Sequence, residues 1–316
     1  MDSVSHLIRL ARLDATVDKR CLLARATAME VPACGEGKAP FHLLLDGACV
    51  VELPDRVIEL RAGDFLLLPG GSAHRVLTSG TTDPRQDVIE EGGGAFSVVR
   101  SRKGESVIDL FCGHYASGPG AGSILLRSLP DPSHVSFRQA GGADATVRTL
   151  TGLIRQEAGF DGPGTAAILS LLCNTLLAMV LRTSSGRLAG SGLWTAADDE
   201  RLRAVVDEVL RAPGADWTIA RLAGVAAMSR ATFVRHFTHA TGMTVGEFLT
   251  HVRLMAAAEL LTETDLPVAT VAADVGYNSD SAFSRTFRLA TGSTPARFRR
   301  RLKHGSGTPA GLKAEP

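Results

Sequence analysis

The residues with most chemical reach in this chain are five cysteines, two isolated histidines and two arginines that recur at matching places. Cys21, Cys34, Cys49, Cys112 and Cys173 are odd in number, widely spaced and form no Cys-x-x-Cys pair. That pattern argues against a structural zinc or a disulfide framework and for a reducing compartment. Cys21 follows Lys19 and Arg20, cations that favour a thiolate and with it oxidation chemistry. Against this stands the commoner role of a lone cysteine, a small buried hydrophobe. His42 and His74 fall short of the three or four converging ligands a transition metal wants. They are expected to be structural or to line a pocket, with no metal and no cofactor. Arg235 and Arg285 stand 50 residues apart and each brings a planar guanidinium fork suited to bidentate hydrogen bonding.

These groups need two kinds of element to hold them. The first part of the chain reads as strands: Phe41-His42-Leu43-Leu44-Leu45, Cys49-Val50-Val51-Glu52-Leu53, Asp64-Phe65-Leu66-Leu67-Leu68 and Val107-Ile108-Asp109-Leu110-Phe111 are short β-rich runs bounded by turn residues. Such punctuation predicts an antiparallel barrel or sandwich. Residues 79–95, rich in Gly, Thr, Asp and Glu, read as a surface loop. From about Ala145 the apolar period becomes helical. Leu171, Leu172, Leu176 and Met179 form a stripe that is either barrel-packing core or a dimer seam, the seam being slightly favoured. The expected organisation is one domain over 1–185, a linker over 186–195, an all-α domain over 196–303 and a disordered tail over 304–316.

The helical region contains a degenerate repeat. Thr218-Ile219-Ala220-Arg221-Leu222-Ala223 recurs 49 residues later as Pro267-Val268-Ala269-Thr270-Val271-Ala272, after which the offset becomes 50: Phe233, Phe237, Ala240-Thr241-Gly242 and Phe248 match Phe283, Phe287, Ala290-Thr291-Gly292 and Phe298. Two copies of one supersecondary unit are the economical reading. Each has helix-turn-helix punctuation: Ala227-Met228 and Gly276-Tyr277 make the turns, Ser229 and Asn278 offer N-caps, and the phenylalanine pairs face inward at i, i+4. Ala231, Val234 and Arg235 are left on the outer face of one recognition helix, and Asp280, Ser281 and Arg285 on the other. Between the copies Thr244-Val245-Gly246-Glu247 reads as a capping box opening a helix to about Thr262, about 27 Å long. That length suits two readers spaced near one duplex turn, about 34 Å.

Bulk composition sets limits. The net charge is +1, with 45% hydrophobic and 21% charged residues. An ordinary globular protein fits, and no global field advertises a polyanion, so DNA contact requires local placement of cations. The N-terminus has no secretory h-region, and the most apolar run, Ala166 to Leu181, falls short of the ~20 residues that span a bilayer. A cytoplasmic protein without a membrane partner is expected.

The stretch from about Trp217 to Arg299 resembles the DNA-binding domain of AraC-type regulators. The phrases Asp265-Leu266-Pro267-Val268, Val275-Gly276-Tyr277, Phe283-Ser284-Arg285-Thr286-Phe287 and Thr294-Pro295-Ala296-Arg297-Phe298-Arg299 carry the resemblance. It implies a double-stranded DNA partner, with base-reading positions at Ala231, Val234, Arg235, Asp280, Ser281 and Arg285, and RNA polymerase and a second copy of the chain as further partners. Gly63, Pro69-Gly70-Gly71-Ser72-Ala73-His74 resembles the second motif of cupin barrels, although the His-x-His pair of metal-binding cupins is missing at His42-Leu43-Leu44. Residues 5–185 resemble the cupin sensor domains fused to AraC-type regulators. The fold class is therefore α+β multidomain: a cupin-like antiparallel β-barrel with following helices, then an all-α domain with two helix-turn-helix units. The opening Met1-Asp2-Ser3-Val4-Ser5-His6 and Val17-Asp18-Lys19-Arg20-Cys21 are similar to reactive-chlorine-sensing members. That similarity implies redox roles for Cys21 and, in Phe111-Cys112-Gly113, for Cys112. Competing readings are a regulator answering to a small organic ligand near His42 and His74, a cupin-type metal-dependent enzyme fused to a DNA anchor, and a barrel that only dimerises. A regulator that is not an enzyme is the expectation.

Overall fold

The computed structural model describes residues 3–11, 13–35, 37–80, 88–92, 95–117, 121–127, 129–137, 143–160, 162–184 and 199–305. The expected linker at 186–195 and most of the expected tail lie outside them. By packing, the chain forms two units.

The first unit contains β1 (Leu13–Ala24), β2 (Ala28–Val31), β3 (Lys38–Asp46), β4 (Ala48–Glu52), β5 (Val57–Arg61), β6 (Asp64–Leu67), β7 (His74–Thr78), β8 (Val88–Glu91), β9 (Ser97–Ser101), β10 (Ser106–Ser117) and β11 (Ser133–Ser136). They form a seven-stranded sheet in the order β11-β6-β3-β10-β1-β9-β8 and a four-stranded sheet in the order β2-β7-β4-β5. This is the β-rich unit that the turn punctuation led to. Two details differ from the expectation. The pair β1–β9 is parallel, and β8 lies inside residues 79–95, which read as loop. Val88-Ile89 is too short an apolar run to signal a strand by itself, and its antiparallel partner β9 supplies the missing hydrogen bonds.

Side-chain alternation explains what the sheets bury. In β1, Ala15, Val17, Cys21 and Leu23 point inward with period two, as a half-buried strand requires. Cys21 and Leu23 join a core that takes Leu44, Leu66 and Leu110 from the larger sheet and Cys49, Val51, Leu60 and Val76 from the smaller. Each of its leucines and valines is worth about 1.5–3 kcal/mol when its side chain leaves water. The opposite side of the larger sheet stacks Phe41 against Phe65 and Tyr115, ring centroids 5.6 and 5.0 Å apart. There the Tyr115 hydroxyl donates to the Cys173 carbonyl at 2.7 Å. After β10 comes α2 (Ala121–Arg127); later α3 (Ala143–Phe160) and α4 (Thr165–Ser184) form a packed pair, with α4 lying against β1. The apolar stripe of α4 is divided: Leu176 and Met179 are buried in this unit, whereas Leu171 is 67% exposed. Leu176 and Met179 are therefore core of the unit.

The second unit is helical: α5 (Glu200–Arg211), α6 (Ile219–Val225), α7 (Arg230–Thr241), α8 (Val245–Glu263), α9 (Val268–Asp274), α10 (Asp280–Thr291) and α11 (Pro295–Gly305). The N-terminal helix α1 (Ser3–Ala11) packs on α5 and α8 of this unit.

Candidate functional site

The repeat becomes a structural repeat in the helical unit. Helices α7 and α10 each have 12 residues. Ser229 Oγ accepts from the Thr232 amide at 3.2 Å, and Ser279 Oγ accepts from that of Ala282 at 3.4 Å. The second cap is thus Ser279 and not Asn278, one residue further on and at the 50-residue offset of the helix it opens. Left-handed glycines close both helices, Gly242 at φ 68° and Gly292 at φ 73°, where a missing Cβ avoids a clash. The connecting turns also match: Ala227 has φ 50° and Gly276 φ 85°. Phe233, Phe237 and Phe248 form one ring cluster and Phe283, Phe287 and Phe298 its copy, with all six buried. Between the copies, Thr244 and Glu247 make the reciprocal capping box that opens α8.

With the phenylalanines inward, Ala231, Val234 and Arg235 are exposed on α7, and Asp280, Ser281 and Arg285 on α10. The α7 trio borders an open hollow of about 840 Å³ together with Thr218 and Ile219 at the start of α6. Arg235 and Arg285 occupy equivalent places, each midway along the chain between the two phenylalanines of its own helix. Half a helical turn separates them from those buried rings, and both arginines are exposed. Among the basic residues of α11, Arg299 is engaged internally: its Nη2 donates to the Leu266 carbonyl at 2.6 Å. Arg300 and Arg301 are both exposed.

The β unit assembles a second cluster from strands of both sheets and a loop. β10 and β3 pair so that Cys112 stands opposite His42, and the Cys112 Sγ lies 3.1 Å from His42 Nδ1. Cys21 of β1 brings its Sγ within 3.6 Å of the Cys112 Sγ and, on its other side, 3.6 Å from the Met29 Sδ of β2. His74, the first residue of β7, sets its Nε2 2.6 Å from His42 Nε2, and its Nδ1 lies 2.8 Å from the Ser72 carbonyl. Gly113 permits the approach of β10 to β1, since a Cβ there would stand 2.2 Å from the Thr16 carbonyl oxygen.

Chemistry fixes the direction of this chain. A carbonyl oxygen only accepts, so His74 Nδ1 carries the proton and His74 Nε2 the lone pair. His42 Nε2–H then donates to His74, which leaves His42 Nδ1 to accept from the Cys112 thiol. Burial lowers the His42 pKa to about 3, with His74 adding to the effect, and burial lowers that of His74 as well; both rings are neutral. Contact with the Cys21 sulfur and burial push the Cys112 thiol well above its ordinary value. The two cations beside Cys21 are engaged elsewhere. Lys19 pairs with Glu90 at 2.9 Å, and Arg20 makes a two-pronged bond to Asp109 at 3.0 and 2.9 Å.

His42 uses its two ring nitrogens on different partners, so the groups form a chain and do not converge on one point. Among the described residues no group of three or more His, Cys, Asp or Glu is arranged to hold a metal ion. A pocket of about 760 Å³ opens beside the chain, lined by Lys19, Met29, His42, Arg75, Glu90 and Cys112 among others. The parts played by Met29 and Ser72 were not legible from sequence: strand pairing brings Met29 to the cluster, and the chain before β7 turns the Ser72 carbonyl onto its near neighbour His74. Among the described residues no helix is long and apolar enough to cross a membrane.

The Cupin family matches residues 2–185, and a helix-turn-helix domain family matches residues 222–301. An uncharacterized HTH-type transcriptional regulator of Haemophilus influenzae is 30% identical over 95% of this chain and 99% of its own length. The RCS-specific HTH-type transcriptional activator RclR of Escherichia coli is 28% identical over 96% and 99%. The DNA-binding domain of AdpA, solved in complex with a target DNA, is 34% identical over 33% of this chain and 95% of that one, with a TM-score of 0.31.

Proposed function

Because the chain belongs to the AraC-type helix-turn-helix regulators that carry an N-terminal cupin domain, we propose that this DNA-binding transcription regulator senses oxidants through Cys21 and Cys112. The observation that carries the reading is the 3.6 Å contact of the two sulfurs. A disulfide needs them at about 2.05 Å, a closure of well under one side-chain length. The relative from Escherichia coli whose name calls it RCS-specific supports a chlorine-based oxidant. In this reading residues 1–185 sense, 186–195 join, and 196–303 bind DNA. Arg235 and Arg285 read base edges as bidentate donors, Ala231 and Val234 meet thymine methyls, Asp280 accepts from a cytosine amino group, and Ser281 supplies a further polar contact. Arg300 and Arg301 face phosphate. The protein works in the cytoplasm as a homodimer, touches RNA polymerase, needs no cofactor and is not an enzyme.

The test is genomic footprinting of the protein with and without hypochlorite, paired with mass mapping of thiols. Oxidant-dependent occupancy together with a Cys21–Cys112 disulfide is expected. Unchanged occupancy with both thiols free would remove the reading. The pocket beside His42 favours a second reading, a regulator answering to a small organic molecule, which predicts a ligand-dependent footprint that survives replacement of both cysteines.

A further inference from the structure

We propose that His42 and His74 form a two-imidazole proton acceptor for disulfide closure, in which the Cys112 sulfur attacks an oxidised Cys21. This rests on the oxidant reading above and gives the two histidines a task within it. In the first step the Cys21 sulfur attacks the chlorine of hypochlorous acid. The S–Cl bond forms and the Cl–O bond breaks; the hydroxide leaves with the Cys21 thiol proton as water, and the sulfur is oxidised by two electrons. No base is required, because the leaving group takes the proton.

The second step does need a base. A lone pair of Cys112 attacks the Cys21 sulfur, the S–S bond forms, the S–Cl bond breaks, and chloride departs with the bonding pair. Chloride is too weak a base to take the Cys112 proton. His42 Nδ1, 3.1 Å from that sulfur, is placed to accept it, while the His42 Nε2 proton passes 2.6 Å to His74 Nε2. The charge comes to rest on His74, whose Nδ1–H stays on the Ser72 carbonyl at 2.8 Å. That hydrogen bond favours the protonated ring, against its burial. Weak basicity at His42 suffices, since a thiol proton becomes strongly acidic once its sulfur begins to bond a second sulfur.

The same geometry sets the order. Were Cys112 oxidised first, Cys21 would have to shed the proton in the second step. Among the described residues, the polar side-chain atoms its Sγ touches are the sulfurs of Met29 and Cys112, and neither is a base.

The experiment follows disulfide formation in the full-length protein after mixing with hypochlorite, by quenched alkylation and mass analysis. His42→Asn and His74→Gln keep polar groups but cannot carry the proton onward. Each is expected to slow closure by about tenfold or more and to let dimedone trap oxidised Cys21, and His42→Ala is expected to regain rate with added imidazole. On the unaltered protein, closure in heavy water is expected to slow by about twofold. Wild-type closure rates in both variants, or no effect of heavy water, would overturn the relay while leaving the disulfide standing. Absence of a Cys21–Cys112 disulfide in the unaltered protein would instead remove the oxidant reading itself.

Discussion

The Cys21 and Cys112 sulfurs touch at 3.6 Å although 91 residues separate them in the chain. Each lies on a long strand of the larger sheet, β1 and β10 being neighbours, and each points into the core that the two sheets share. The contact is thus a consequence of strand order and side-chain parity, both held by a rigid packed interior.

Replacing Cys21 by Ser is expected to abolish hypochlorite-induced transcription, and replacing Cys112 by Ser to weaken it, while basal operator affinity stays intact. A reporter assay beside a binding titration checks this. A Cys21→Ser protein that responds like the wild type would end the redox account.

Arg235→Ala and Arg285→Ala are each expected to cost about 1–3 kcal/mol on the specific site and to relax sequence preference locally. Fluorescence anisotropy on specific and random duplexes separates the roles. Equal loss on both duplexes would mean phosphate contact only. Arg300→Ala is expected to reduce the slope of affinity against salt instead.

Gly113→Ala places a Cβ 2.2 Å from the Thr16 carbonyl, backbone that cannot yield cheaply. A loss of about 1–3 kcal/mol of stability is expected, as for an overpacked core, together with slower disulfide closure because β10 is pushed off β1. Thermal unfolding and the closure rate are the two measurements, and an unchanged Tm would show that the strands part freely.

Ala227 holds φ 50° where its counterpart in the second copy is Gly276. A non-glycine residue in this region costs about 1–2 kcal/mol, partly offset by the greater chain entropy that glycine loses on folding. Ala227→Gly is therefore expected to stabilise the helical unit by roughly 0.5–1 kcal/mol, read from urea unfolding followed at Trp217.

Burial pushes the Cys49 and Cys173 thiols up to about 12. At pH 9 their thiolate fraction is on the order of one in a thousand, so raising pH from 7 to 9 should not bring iodoacetamide onto them while the protein is folded. Cys34, half-buried, is expected to label first. Fast native labelling of Cys49 would show that the core of the β unit opens.

Much of the helical unit was legible because its determinants are local. The Phe-x-x-x-Phe spacing, the serine and threonine caps and the glycines after Thr241 and Thr291 act within one or two turns, and each recurs at the same offset. The exchange of Asn278 for Ser279 came from two adjacent residues with equal capping chemistry, a tie that only backbone geometry breaks. In the β unit the strands were legible where apolar runs were long. Residues 88–91 were not, because their pairing with β9 is not written in their own composition.

What the sequence determined by itself was which elements form and which faces are polar: period and capping act between neighbours, so Arg235 and Arg285 fell on exposed faces. What only the tertiary structure decided was which distant residues meet. Lys19 and Arg20 flank Cys21 in the chain, yet strand pairing gives them to Glu90 and Asp109. The Cys21 sulfur meets Met29 and Cys112, and His42 joins Cys112 to His74. The physical reason is that sheet order and register are set by the whole buried interior at once, and no local stretch of sequence carries that information.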